Sequence, residues 1–236
     1  MPASTRPFRS ARAIVQRGRR AVWAYGYRGS AQKAIGKLWH LPARVRPDGF
    51  DSEHGTDTGR IVRLEALGSV TGEKAWLAHR YQASTPERAV SALEALPIRY
   101  DEFTLIDIGS GKGRVLLIAA ELPFRRIIGV EFASELHDIA TSNVQRVRPD
   151  DPRLELVCQD VTDYEFPDEP LVLYFYGPFL APIMRIVMDR VTRSLRNSRR
   201  PAYLVLFTAP DLQREAEMAG FERVDESVFV WPAHLA

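Results

Sequence analysis

Cysteine is almost absent: Cys158 is the only one among 236 residues. An intrachain disulfide and a cysteine-based metal site are both excluded. A reducing compartment fits this usage. No apolar run reaches the ~18 residues of a membrane span, and the N-terminus has no hydrophobic core of a secretion signal. Acids are missing from the first 47 residues. That stretch carries Arg6, Arg9, Arg12, Arg17, Arg19, Arg20, Arg28, Lys33, Lys37, Arg44 and Arg46. The formal net charge is only +2, so the remainder is net acidic. Lysine is scarce and arginine abundant, as in a GC-rich genome. Internal repeats and low-complexity segments are also lacking. A cytoplasmic protein is expected.

The basic segment has three readings: a solvated helix that caps the fold, an arm for nucleic acid or an acidic protein surface, and a targeting or membrane-surface element. Residues 1–9 read as disordered, and 10–39 as one or two helices interrupted by Gly26 and Gly29. Trp23, Tyr25 and Tyr27 beside arginines permit stacking on bases. Pro42, Pro47, Gly49, Gly55 and Gly59 mark a long loop. The segment 61–70 is strand or helix. These residues form an expected extension, 1–80. A core domain over 81–236 follows.

In the core, short apolar runs predict strands at 103–108, 126–131, 154–158, 171–176 and 202–207, with a closing pair within 221–231. Helices are expected at 112–122, 133–147, 179–195 and 210–219. A further helix starts at Ser84 or Thr85 with Pro86 in its first turn, presents Ala89, Val90, Leu93 and Leu96, and ends before Pro97. Alternating strands and helices give an α/β, doubly wound, mostly parallel sheet with helices on both faces.

The chemistry concentrates at Phe103-Thr-Leu-Ile-Asp-Ile-Gly-Ser-Gly-Lys-Gly-Arg114: a strand, a glycine-rich turn, then a helix start. Glu131 closes the next strand. Such a layout holds nucleotide cofactors in open parallel sheets. The glycines are Gly109, Gly111 and Gly113. A dinucleotide fingerprint wants its third small residue one place later, where Arg114 stands. Asp107, at the end of the strand, would repel a pyrophosphate. It suits a ligand with an ammonium and a sulfonium and no phosphate, S-adenosylmethionine. Glu131 suits ribose hydroxyls. A tight turn needing glycine for sterics alone is the bland alternative.

Asp107-Ile-Gly-Ser-Gly-Lys-Gly113, Gly129-Val-Glu131, Asp160 and Tyr174-Phe-Tyr-Gly-Pro-Phe179 resemble, in order, the class I (seven-stranded, Rossmann-like) SAM-dependent methyltransferases. The resemblance covers about residues 81–231. It is similar in flavour to the branch of non-SET histone-lysine methyltransferases and their bacterial relatives. Tyr81-Gln-Ala-Ser84-Thr85-Pro86 looks like that branch's Tyr-x-x-Ser/Thr element. His54-Gly-Thr-Asp-Thr-Gly59 looks like the bacterial Tyr-Gly-Thr-Asp-Thr loop. The resemblance implies that Asp107, Gly109, Ser110, Gly111 and Gly113 surround the methionine part of S-adenosyl-L-methionine. It gives the ribose to Glu131 and the adenine to Asp160 and Val161. It has Tyr81, Ser84 and Thr85 close over the cofactor. The transfer site is implied at Tyr176, Gly177, Pro178 and Phe179, with His54 and Asp57 as further acceptor-side candidates.

Gly177 departs from the family pattern, which usually has Asn or Asp there. It keeps the carbonyl that can accept amine hydrogens and loses the side chain. A protein lysine or other amine is the favoured acceptor on resemblance; a small molecule or nucleic acid is the alternative. A non-catalytic nucleic-acid-binding module and an NAD-linked oxidoreductase are the competing functions. Bland readings stand beside these: His54 and Asp57 as turn residues, Tyr176 as a core aromatic, Asp160 as a solvated loop carboxylate, His79 and His137 as structural, Cys158 as core, and Lys112 and Arg114 as solvated helix-start residues.

Overall fold

The computed structural model describes residues 49–64, 67–70, 81–177 and 180–232. The expected helices within 10–39, together with His79, Pro178 and Phe179, lie outside the described residues.

The strands form where the apolar runs are densest: β1 Thr104–Ile108, β2 Arg126–Glu131, β3 Leu154–Cys158, β4 Leu171–Tyr176, β5 Ala202–Phe207, β6 Glu222–Arg223 and β7 Val228–Val230. They lie in the order β3-β2-β1-β4-β5-β7-β6. The first five are parallel. β7 runs antiparallel to β5, and β6 antiparallel to β7. This is the doubly wound, mostly parallel seven-stranded sheet expected from the sequence.

The helices are α1 Phe50–His54, α2 Pro86–Glu94, α3 Arg114–Ala119, α4 Ser134–Val147, α5 Ala181–Asn197 and α6 Pro210–Met218. Alternate strand residues serve opposite faces. Ile106, Ile108, Val130, Leu173, Phe175 and Leu204 join Val187 and Val191 of α5 and Ala216 of α6. Leu105, Ile127, Val172, Tyr174 and Val205 join Leu93 of α2, Leu116 of α3 and Val144 of α4. Burying one such side chain contributes about 1.5–3 kcal/mol.

Three expectations are corrected here. The helix after the glycine turn begins at Arg114, not 112. Gly109, Gly111 and Gly113 all have positive φ (76°, 54° and 82°), so the turn continues through Gly113. Val90 is exposed, and Ala92 fills the buried position of α2 instead. Cys158 is exposed rather than core. β3 is an edge strand, covered less completely than the centre of the sheet, and Glu155 within it already faces solvent.

Chain order reverses between β1 and β4. β2 and β3 extend to one side of β1, while β4 and β5 extend to the other. The C-terminal ends of strands at such a switch point form the crevice in which open α/β sheets bind ligands.

Candidate functional site

β1 delivers Asp107 to that crevice. In register it lies between Gly129 of β2 and Tyr174 of β4. It shares the sheet face of Leu105, as Glu131 shares that of Ile127. Both carboxylates are 4% exposed. Asp107 has no hydrogen-bond donor among the described residues. Burial, then the charge of Glu131, pushes its carboxyl up to about 8. Glu131 is pinned: Oε2 accepts the Gly111 N–H at 2.9 Å and Oε1 the Ala133 N–H at 2.9 Å. Burial raises its pKa, and these backbone donors pull the other way.

The turn wraps onto the end of β2, with the N–H groups of Gly109 and Ser110 both donating to the Val130 carbonyl. Gly129 lets Ser110 settle there. A Cβ at residue 129 would lie 2.6 Å from Leu116 Cδ1 and 2.9 Å from Ser110 Oγ.

Tyr81 covers the turn. Its hydroxyl donates to the Thr58 carbonyl at 2.6 Å, and its ring lies so close that a Cβ on Gly111 would fall 2.1 Å from it. Gly111→Ala therefore displaces Tyr81 and adds the cost of a left-handed alanine, about 1–2 kcal/mol. The expected result is a lower melting temperature and at least tenfold weaker binding of S-adenosylhomocysteine, measured by calorimetry.

Ser84 is buried, and its Oγ accepts from the Tyr174 hydroxyl at 3.1 Å. Thr85 is exposed at the start of α2. Val161 is buried in the core on the α5 side of the sheet. Asp160 Oδ1 accepts from the N–H and hydroxyl of Thr162, a local turn just past β3. Tyr176 and Gly177 stand half-buried at the end of β4, with the Tyr176 ring 6.1 Å from that of Phe207. Gly177 has φ 53°, and the nearest atom to a Cβ there would be the Phe207 carbonyl oxygen at 3.8 Å. His54 stacks on Phe50 and bonds through Nδ1 to the Phe50 carbonyl.

Lys112 and Arg114 are not solvated; they are 1% and 3% exposed. Lys112 Nζ pairs with Asp57 Oδ1 at 2.9 Å. Arg114 Nε donates to Thr58 Oγ1 at 2.7 Å and its Nη1 to the Ser84 carbonyl at 3.1 Å. Asp57 thus carries an ion pair to a buried lysine while its own side chain stays half exposed.

Sequence reasoning also missed Asp51, Thr58 and Asn143. Asp51 accepts from Thr56, from the N–H and hydroxyl of Thr58, and from the Gly59 N–H. Burial raises the Asp51 pKa, but the Thr58 and Thr56 hydrogen bonds outweigh it and hold the carboxyl below its usual range. Asn143 donates to the Lys112 carbonyl at 2.9 Å and accepts the Asp57 N–H at 3.1 Å. Its signal was present: it is a polar residue on the apolar stripe of Leu136, Ala140 and Val144.

Residues 105–198, from β1 to the end of α5, match the family model described as "Methyltransferase domain". No curated protein matches the chain. Among solved structures, the cyclase SpnF is 17% identical with a TM-score of 0.49, covering 61% of each chain. A SAM-dependent O-methyltransferase from Thermotoga maritima is 17% identical with a TM-score of 0.46, over 62% of this chain and 54% of that one. Phosphoethanolamine N-methyltransferase 2 of Haemonchus contortus, in complex with S-adenosyl-L-methionine, is 16% identical with a TM-score of 0.42, over 57% of this chain and 36% of that one. The chain thus spans less than two thirds of the length of each of these three. Over residues 105–198 the chain matches a methyltransferase-domain model, and that stretch is built on a doubly wound, Rossmann-like sheet.

Proposed function

We propose that Asp107 and Glu131 hold S-adenosylmethionine at the end of β1 and β2, and that the methyl group passes to an amine at Tyr176 and Gly177. The observation that carries this reading is Asp107: a buried carboxylate without a donor among the described residues, beside a second carboxylate fixed by backbone N–H groups. Burying a charge is costly unless it is paired. The pair suits a cation and two hydroxyls, so these residues fit the cofactor.

The cofactor, when bound, supplies the reactivity of an in-line displacement at its sulfonium. The protein's task is to align acceptor and donor and to exclude water. Gly109, Ser110, Gly111 and Gly113 would shape the methionine end, with Tyr81 and Ser84 above it and Thr85 beyond. Asp160 and Val161 would lie on the adenine side. Tyr176 would form one wall of the transfer site, and Pro178 and Phe179 are assigned to that site from the sequence alone. The Gly177 carbonyl, with that of Phe207 close by, would accept amine hydrogens in place of a side chain, and the aromatic wall would attract a cationic chain. The domain division at residue 80 and the basic arm's partner, acidic or nucleic acid, belong to the same proposal.

Calorimetric titration of S-adenosylhomocysteine into the full-length protein is expected to give saturable one-to-one binding; none by folded protein removes the reading. With labelled methyl donor and cell extract as acceptor pool, label is expected on protein, at lysine. Label on RNA or on a hydroxyl compound would overturn the amine assignment and leave the cofactor site standing.

A further inference from the structure

The site is completed by a segment far from it in sequence. The Gly49–Gly59 strap lies against the glycine turn through one buried cation. Arg114, directly after Gly113, has its guanidinium 5.1 Å from the centre of the Phe50 ring and 3.8 Å from Asp51 Oδ2. It donates to Thr58 in the strap and to Ser84 in the approach to α2. Thr58 is fully buried, and its own N–H and hydroxyl are spent on Asp51. Its carbonyl is thereby aimed at the Tyr81 hydroxyl, and Tyr81 rests on Gly111. A continuous line of contacts runs from Arg114 through Thr58 and Tyr81 back to the turn.

We infer that Arg114 is a positioning residue for the cofactor site: by clamping Thr58 it holds Tyr81 closed over the methionine end of the ligand. The inference rests on the cofactor reading above. A buried guanidinium could be tolerated for packing alone, but burying it is expensive unless its donors are used. Here they engage two separate segments that meet over the turn. Lysine keeps the charge but loses the planar fork that reaches both at once.

The test is a double-mutant cycle on S-adenosylhomocysteine affinity, with Arg114→Lys and Tyr81→Phe, each checked for a cooperative melt. Tyr81→Phe keeps the ring and removes the hydroxyl that donates to Thr58 and meets the Lys112 backbone. Each single variant is expected to bind about tenfold more weakly, with faster ligand dissociation. Because the two act through Thr58, the double variant should be little worse than the worse single. In turnover, KM for the methyl donor should rise while kcat changes much less. Equal affinity in folded Arg114→Lys, or strictly additive losses, would overturn the inference. If Arg114→Lys does not fold, Asp51→Asn replaces it in the cycle, since Asp51 orients the same threonine from a more exposed position. Failure of wild type to bind would strike the cofactor reading itself; normal binding by every variant would strike only the role of Arg114.

Discussion

Asp107→Asn is expected to abolish S-adenosylhomocysteine binding and, above about pH 8, to make the protein more stable. Both effects come from the same burial. In the folded protein the Asp107 carboxyl is raised from 3.8 to about 8 by desolvation and then by Glu131. A folded-state value above the unfolded one means that this group favours folding most below about pH 4. That contribution is lost as pH rises through about 8. Asparagine removes the buried charge, so the variant should gain about 1–3 kcal/mol above pH 8, a few degrees in melting temperature. At about pH 4 and below it should gain nothing. Binding has the opposite sign: a cationic ligand needs the ionised form. Affinity of the wild type should therefore rise about tenfold per pH unit up to about 8, with a proton released on binding. The released proton makes the calorimetric enthalpy depend on the ionisation heat of the buffer. A flat pH profile, or an asparagine variant that binds normally, would refute the role of Asp107.

Glu131→Gln should be as damaging to binding, and it should cost stability rather than add it. Both carboxylate oxygens accept backbone N–H groups, one from the turn at Gly111 and one from Ala133 just before α4. An amide offers one oxygen, so one of those N–H groups would face another donor. Hydrogen bonds to a charged group contribute about 1.5–3 kcal/mol each. Loss of one, with loss of the acceptor proposed for the ribose, should weaken S-adenosylhomocysteine at least a hundredfold. Denaturant titration should report destabilisation of about 2 kcal/mol. The two isosteric substitutions then separate cleanly: the same loss of ligand, with stability moving in opposite directions.

The sheet was almost fully legible. β2, β4 and β5 fall on the expected residues, because central parallel strands are continuous apolar runs bounded by loops of Gly, Pro and Asp; the edge strand β3 falls there too, on the apolar residues either side of Glu155. What the sequence hid was long-range. Lys112 and Arg114 looked like ordinary solvated residues at a helix start. Their partners, Asp57 and Thr58, lie 55 and 56 positions upstream, beyond any local pattern. Cys158 was misplaced for the converse reason: an apolar run marks a strand but not its place in the sheet, and only Glu155 hinted at the edge. The carboxylates at 107 and 131 were legible as a pair because strand ends at a switch point converge whatever the loops do.

The solitary thiol has a practical consequence. Cys158 sits opposite Glu131 in the β2–β3 register, on an adjacent strand about 4.8 Å away, and it is exposed. A fluorophore coupled there attaches at one position only and stands next to the carboxylate proposed to grip the ribose. Desolvation and the neighbouring Glu131 raise the thiol's pKa, so coupling proceeds best in mildly alkaline buffer. The native polypeptide thus comes with its own optical gauge of occupancy, without engineered cysteines.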